Sequence, residues 1–220
     1  QPAALTIALP YIYEIVEAFN IPIVMVDNYE ADDTIGTLAK QAEKEGFKVY
    51  MVTPDKDYAQ LVSENIFMYK PSRQGNGVDI YGVPEILEKW DIQNVMQVID
   101  ILGLQGDSVD NIPGIPGIGA KTAVKLLKLY DSVEGLIENV SQLKGKQREN
   151  VTNFAEQGLL SKKLATIKLD VPIQFDAEKY IVEPYNREKI IELFKELEFR
   201  SLAESILGSA MPVAGTSAPE

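Results

Sequence analysis

Gly106-Asp107-Ser108-Val109-Asp110-Asn111-Ile112-Pro113-Gly114-Ile115-Pro116-Gly117-Ile118-Gly119-Ala120-Lys121-Thr122-Ala123 is the stretch on which the reading of this chain turns. Two carboxylates three positions apart run into a glycine hairpin, and the hairpin opens a helix. Carboxylate oxygens hold hard divalent cations. Gly117 and Gly119 supply backbone conformations that other residues resist, and they let the main chain approach a ligand closely. A helix starting near Ala120 points free N–H groups at an anion. Lys121 adds charge there and Thr122 a hydroxyl donor.

Composition narrows the chemistry. The chain has no cysteine and no histidine, so disulfides, thiolate sites, the usual zinc ligand and Ser-His or Cys-His nucleophiles are all excluded. A metal must be held by oxygen, which favours magnesium, manganese or calcium. At 220 residues and 45% hydrophobic, the chain can bury a core and reads as one large or two small globular domains. No apolar run approaches a membrane span, and no signal peptide is visible. The net charge of −12 argues against a nucleic-acid partner until its distribution is considered. Residues 119–168 carry 9 Lys+Arg against 5 Asp+Glu, so a basic segment sits within an acidic chain.

Outward from the hairpin, the first half alternates strand and helix. Gln1 to Leu9 carries little signal and reads as a chain already under way. Tyr11 to Phe19 has helical spacing, ended by Ile21-Pro22. Ile23 to Val26 is a short apolar strand run, followed by a helix over Asp32 to Glu45 capped by Gly46. Strands are expected at Lys48–Thr53, Ile66–Tyr69 and Val78–Tyr81, with a helix over Asp57–Val62. That alternation indicates an α/β layer with a largely parallel, Rossmann-like sheet. After Pro84 the pattern turns helical, at 84–89, 94–103, 119–130, 133–138, 146–156, 159–168 and 186–207, the last broken near Phe199. Gly208 to Glu220 reads as a linker to a further domain. The expected division is a metal-binding core over 1–104, a helical DNA-binding domain over 105–207 and the linker over 208–220.

Three acidic clusters fall at comparable places. Glu30, Asp32 and Asp33 follow the strand Ile23–Val26, Asp55 and Asp57 follow Lys48–Thr53, and Asp107 and Asp110 follow the helix 94–103. The carboxyl ends of strands in open α/β sheets are where ligands bind, so the first two clusters should converge. Seven carboxylates in one crevice repel unless cations lie among them. Two cations about 3.5–4 Å apart can activate water and stabilise a leaving oxygen in phosphodiester cleavage. Each cluster alone has a blander reading as a helix cap, a dipole complement or a solvated turn. Their convergence is what points to a nuclease. Pro116 to Ala123 matches the helix-hairpin-helix pattern of proteins that grip duplex DNA without reading its bases, the alternative being an ordinary tight turn. Lys125, Lys128, Lys144, Lys146, Arg148, Lys162 and Lys163 either extend that surface or are solvated side chains. Ile112, Ile115, Ile118, Val124 and Leu127 read as core.

Tyr29-Glu30-Ala31-Asp32-Asp33, Thr53-Pro54-Asp55-Lys56-Asp57 and Gly106 through Ala123 together resemble the 5′-nuclease domains of bacterial DNA polymerase I. Flap endonucleases and phage 5′-3′ exonucleases form the wider group, and the resemblance runs from about Pro10 to Leu207. It implies a PIN-like sheet and a helix-hairpin-helix domain. It also implies divalent-metal-dependent hydrolysis of phosphodiesters near a 5′ end or at a 5′ flap, in replication and repair. Glu30, Asp32, Asp33, Asp55, Asp57, Asp107 and Asp110 match the family's metal-binding acids. Glu30 and Asp32 are implied for one Mg²⁺ or Mn²⁺, and Asp55, Asp57 and Asp110 for the second or for the space between. Asp33 and Asp107 are implied to lie further out. Gly117, Gly119, Lys121, Thr122 and Lys125 match the DNA-binding hairpin, where the family also holds K⁺. The resemblance places polymerase domains beyond the linker, in a bacterial, nucleoid-associated parent with no membrane association. The family begins with an aspartate-bearing strand, a second aspartate and a basic arch, none of which precedes Gln1. The chain is therefore expected to be a fragment. Two alternatives stand beside the nuclease reading: a catalytically incomplete module that only binds duplex DNA, and an acidic Rossmann-like interaction domain.

Overall fold

The computed structural model describes residues 3–71 and 77–208. The chain divides into two compact units, one formed by residues 26–175 and the other by residues 1–25 with 176–220.

The larger unit is built on three strands, β1 (Val49–Val52), β2 (Ile66–Pro71) and β3 (Val78–Tyr81), in the order β1-β2-β3. β1 and β2 run parallel with Val49 opposite Ile66, and β3 returns antiparallel with Tyr81 opposite Met68. Helix α2 (Ala31–Lys44) covers the sheet, and its buried Ala39 and Ala42 join Met51, Ile66 and Met68 in the core. Gly46, at φ +89°, ends the helix in the left-handed region as its position in the sequence suggested.

The remaining helices of this unit are α3 (Val83–Trp90), α4 (Gln97–Gln105), α5 (Ala120–Tyr130), α6 (Val133–Glu138), α7 (Gly145–Asn153) and α8 (Ala155–Ala165). α4 is buried from Gln97 to Leu104 and is the spine of the unit. Its two buried polar residues are tolerated because each is satisfied. Gln97 donates to the Asp131 carbonyl and carboxylate at 2.9 Å each, while Asp100 accepts the Val133 N–H at 2.9 Å and pairs with Lys162 at 2.7 Å. Gly103 lies where a Cβ would come within 2.9 Å of the Lys162 backbone, so α4 and α8 approach closely. Ile112, Ile115, Ile118 and Leu127 are buried in the core, as their spacing indicated.

In the smaller unit Tyr11 and Ile15 of α1 (Ala3–Ala18), and Phe19 just past its end, pack on the cluster of Ile190, Leu193 and Phe194 of α9 (Arg187–Glu196). The expected break near Phe199 separates α9 from α10 (Arg200–Leu207), with Glu198 at φ +57° making the corner.

Three local expectations are corrected. The first helix starts at Ala3, upstream of Tyr11, and runs through Pro10. The helix expected over Asp57–Val62 is a 3-10 turn over Asp57–Leu61. Residues 21–26 form no strand, and Met25 is 75% exposed. A strand exists only by pairing its backbone groups, and the apolar run of Ile23–Val26 finds no ladder partner among the described residues. The expected linker lies beyond the described residues except for Gly208.

Candidate metal centre

Three short segments bring the acids together. Glu30 caps the start of α2 in extended conformation, and Asp32 and Asp33 occupy the first turn, where the helix dipole favours negative charge. Both are then fixed by distant groups. The buried Tyr58 hydroxyl donates to Asp32 at 2.8 Å, and the Lys168 N–H donates to Asp33 at 2.8 Å. Burial, then the bond to Asp32, drive the Tyr58 phenol above its ordinary value, so it remains a donor.

Past β1 the chain makes two successive side-chain-capped turns. Thr53 Oγ1 accepts the Asp55 N–H at 3.1 Å, and Asp55 Oδ1 accepts the Asp57 N–H at 3.0 Å. The buried Gln60 ties this turn to the end of α8. Its amide donates to the carbonyls of Asp57 and Ala165 at 2.9 and 3.0 Å, and its oxygen accepts the Ile167 N–H at 2.9 Å.

The third segment is a loop pinched at its neck. Asp107 and Ile112 exchange backbone hydrogen bonds of 2.8 and 2.7 Å, and Ile115 donates to the Leu104 carbonyl at 2.8 Å. Gly106 and Gly114 have φ of +76° and +63°, and a Cβ on Gly114 would stand 2.3 Å from the Gly106 nitrogen. No other residue fits. Two side chains of α8 hold the loop from behind, Ser161 accepting the Gly114 N–H at 3.0 Å and Gln157 donating to its carbonyl at 2.7 Å.

Glu30, Asp32, Asp33, Asp55, Asp57 and Asp110 line one cavity of about 410 Å³, closed on the far side by Leu164, Ala165, Thr166 and Ile167. Asp107 sits against it, and Asp57, Asp107 and Asp110 bring carboxylate oxygens within 4.8 Å of one another. All seven acids singled out in the sequence thus meet at one place. Asp57 Oδ1 is sealed from solvent with no hydrogen-bond partner, the nearest ammonium being Lys56 Nζ at 4.0 Å. Burial, reinforced by Asp55, Asp107 and Asp110, pushes Asp57 up to about 6. Asp107 moves the opposite way, because the Lys56 ammonium bonded to its Oδ2 holds it below the usual carboxylate range. An orphaned oxygen among all-oxygen donors fits a hard divalent cation.

At the hairpin Gly117 has φ +79°, and the Asn150 side-chain amide donates to the Pro116 carbonyl at 2.7 Å. Gly119 differs from expectation. Its φ is −97°, which any residue adopts, and a Cβ there would meet nothing within 4 Å. Its value is therefore open space at the start of α5, whose first N–H groups have no side-chain cap. Lys121 and Lys125 are exposed on that helix, and Thr122 is half-buried. Three lysines read as possible phosphate contacts have acidic partners, among them Lys146, which pairs with Glu149 at 3.1 Å. Lys162 is paired with both Asp100 and Glu134 at 2.7 Å, and Lys128 is paired with Asp91.

The sequence reading missed Lys56, Tyr58 and Gln60 as partners of the acids. Gln60 and Tyr58 carried a signal, since polar residues in an otherwise apolar run ask for a buried partner. Lys56 carried none beyond its place between two aspartates.

An acid cavity on a small α/β sheet, followed by a helical region with an uncapped glycine hairpin, defines a family. Residues 1–91 match the 5′-3′ exonuclease N-terminal resolvase-like domain, and residues 93–188 match the 5′-3′ exonuclease C-terminal SAM fold. The chain belongs to the 5′-3′ exonuclease family. It is 42% identical over 206 residues to DNA polymerase I of Bacillus subtilis (strain 168), covering 93% of this chain and 23% of that protein. DNA polymerase I of Mycobacterium leprae (strain TN) is 35% identical over 207 residues, with coverages of 94% and 22%. The chain thus spans about a quarter of the length of these relatives. Among solved structures, T5 5′-exonuclease with bound divalent zinc ions superposes with a TM-score of 0.64 at 18% identity, covering 90% of this chain and 72% of that one. The catalytic core of Rad2 in complex with DNA substrate gives 0.63 at 15% identity, covering 90% and 66%. These likenesses are of fold.

Proposed function

We propose that this chain is the metal-binding and DNA-gripping part of a divalent-metal-dependent 5′-nuclease. It would hydrolyse DNA phosphodiesters at 5′ ends or 5′ flaps, within a bacterial polymerase I whose polymerase domains follow. One observation carries the reading: seven acids from separate segments converge on one cavity, where Asp57 keeps a sealed, unpartnered oxygen. Glu30, Asp32, Asp55, Asp57 and Asp110 are the residues we assign to Mg²⁺ or Mn²⁺ at two sites, with Asp33, held by the Lys168 N–H, and Asp107, paired with Lys56 in the metal-free protein, further out. Such ions, when bound, activate water and stabilise the leaving oxygen. Asp33 locks the segment after α8 to the start of α2, while Tyr58 orients Asp32.

Gly117, Gly119, Lys121, Thr122 and Lys125 we assign to the phosphate backbone of duplex DNA, with K⁺ as a further ligand of the hairpin. The open approach at Gly119 and the uncapped N–H groups of α5 support that assignment. We keep the division into a core over 1–104 and a DNA-binding region over 105–207 as part of the proposal.

The test is cleavage of a 5′-flap duplex in Mg²⁺ or Mn²⁺, with binding measured in Ca²⁺. Metal-dependent cutting supports a complete catalytic centre in this chain. Salt-dependent binding without cutting leaves a duplex-binding module, and nuclease activity then belongs to the parent protein alone. Neither binding nor cutting would refute both readings.

A further inference from the structure

Lys56 is placed where a metal ligand would need room. Its ammonium bonds Asp107 Oδ2 and stands 4.0 Å from Asp57 Oδ1. The other Asp107 oxygen already accepts the Val109 N–H at 2.9 Å. Lys56 therefore covers the second Asp107 oxygen, beside the sealed Asp57 Oδ1.

We propose that Lys56 is a built-in counter-cation, which neutralises the Asp57, Asp107 and Asp110 cluster in the metal-free protein and withdraws when a divalent ion enters. The proposal rests on the metal-site reading above. Three crowded carboxylates repel one another, so a metal-free cavity without a cation would push the pinched loop and the 3-10 turn apart. A single positive charge suffices to hold them and is readily displaced by a double one. The Lys56 side chain is 45% exposed, so its ammonium can swing into water on its flexible stem and recover hydration there. The bonded carboxylate is almost fully buried and cannot leave. Lys56 is thus the mobile partner and Asp107 the fixed one. The role is one of positioning and occupancy, since nothing places Lys56 on a reacting atom.

The test measures free Mn²⁺ by its paramagnetic resonance during titration of the wild-type chain, Lys56→Gln, Lys56→Arg and Asp57→Asn. Removing one unit of repulsion a few ångströms from a divalent ion should make Lys56→Gln bind Mn²⁺ about tenfold more tightly. Lys56→Arg, which keeps the charge, should stay near the wild type. Acetylation of Lys56, followed by mass spectrometry, should speed up when Ca²⁺ is added, as the ammonium is released. Mn²⁺ affinity in Lys56→Gln equal to or weaker than wild type would overturn the proposal. Equal tightening in Lys56→Arg would overturn it as well, because charge would not be the cause. Wild type and Asp57→Asn binding Mn²⁺ alike would refute the metal site itself, a different failure from that of the counter-cation.

Discussion

Asp57→Asn should make the metal-free protein more stable while weakening its response to metal. Asp57 has one oxygen sealed from solvent without a partner, and it faces Asp55, Asp107 and Asp110. Its carboxyl is raised from 3.8 to about 6, so holding it ionised at pH 7.5 works against folding. At about 1.4 kcal/mol per unit the cost is about 3 kcal/mol. Screening by the water that reaches this half-buried group reduces it to about 1–2 kcal/mol. The sign follows from linkage. An acid with a raised folded value binds more protons folded than unfolded, so its penalty is absent below about pH 4, grows between pH 4 and 6 and is complete above. Asparagine carries no such penalty. Urea unfolding in EDTA at pH 7.5 should therefore show Asp57→Asn more stable by about 1–2 kcal/mol, and the difference should shrink at pH 4. Millimolar Mg²⁺ should stabilise the wild type clearly more than the variant, which keeps only the site of Glu30 and Asp32. A variant no more stable than the wild type in EDTA, or equally stabilised by Mg²⁺, would refute the reasoning.

Asp55→Asn should abolish flap cleavage while leaving DNA affinity in Ca²⁺ within about twofold, since Asp55 is assigned to metal and not to the hairpin; parallel loss of both would count against that assignment. Lys121→Ala should weaken duplex binding and lower the salt slope by about one, as expected for one lost phosphate contact. An unchanged slope in a salt titration would remove Lys121 from the interface. Lys162→Met strands the buried Asp100 carboxylate beside only the Val133 N–H and should cost about 3 kcal/mol in urea unfolding. A change under about 0.5 kcal/mol would show that the pair has little net worth.

Local patterns in the sequence carried most of the fold. The helices after Pro84 follow from apolar spacing, and the break at Phe199 fell where the spacing faltered. The acids also declared themselves, because each cluster follows an apolar element and the chain has only oxygen ligands to offer. Readings that needed a distant partner fared worse. Ile23–Val26 has the composition of a strand, yet strands are made by neighbours, and local apolarity cannot supply one. Lys162 looked like any surface lysine because its partners, Asp100 and Glu134, meet it only when α4, α6 and α8 pack. The acid within the apolar run of α4 was the available hint. Gly119 was read both as a backbone necessity and as a close approach, and its φ of −97° leaves only the clearance. Lys56 stayed hidden because nothing local distinguishes a lysine that folds back from one that points away.

The pinch between Gly106 and Gly114 separates inheritance from adaptation. It is made of main chain, closed by the Asp107–Ile112 bonds and held from behind by Ser161 and Gln157. The side chains between Ser108 and Asn111 therefore take no part in closing the neck. Val109, 87% exposed at the cavity rim, can be exchanged without disturbing Asp107 or Asp110. A loop of this kind can change the residues at the cavity rim while leaving the carboxylates beneath it where they were.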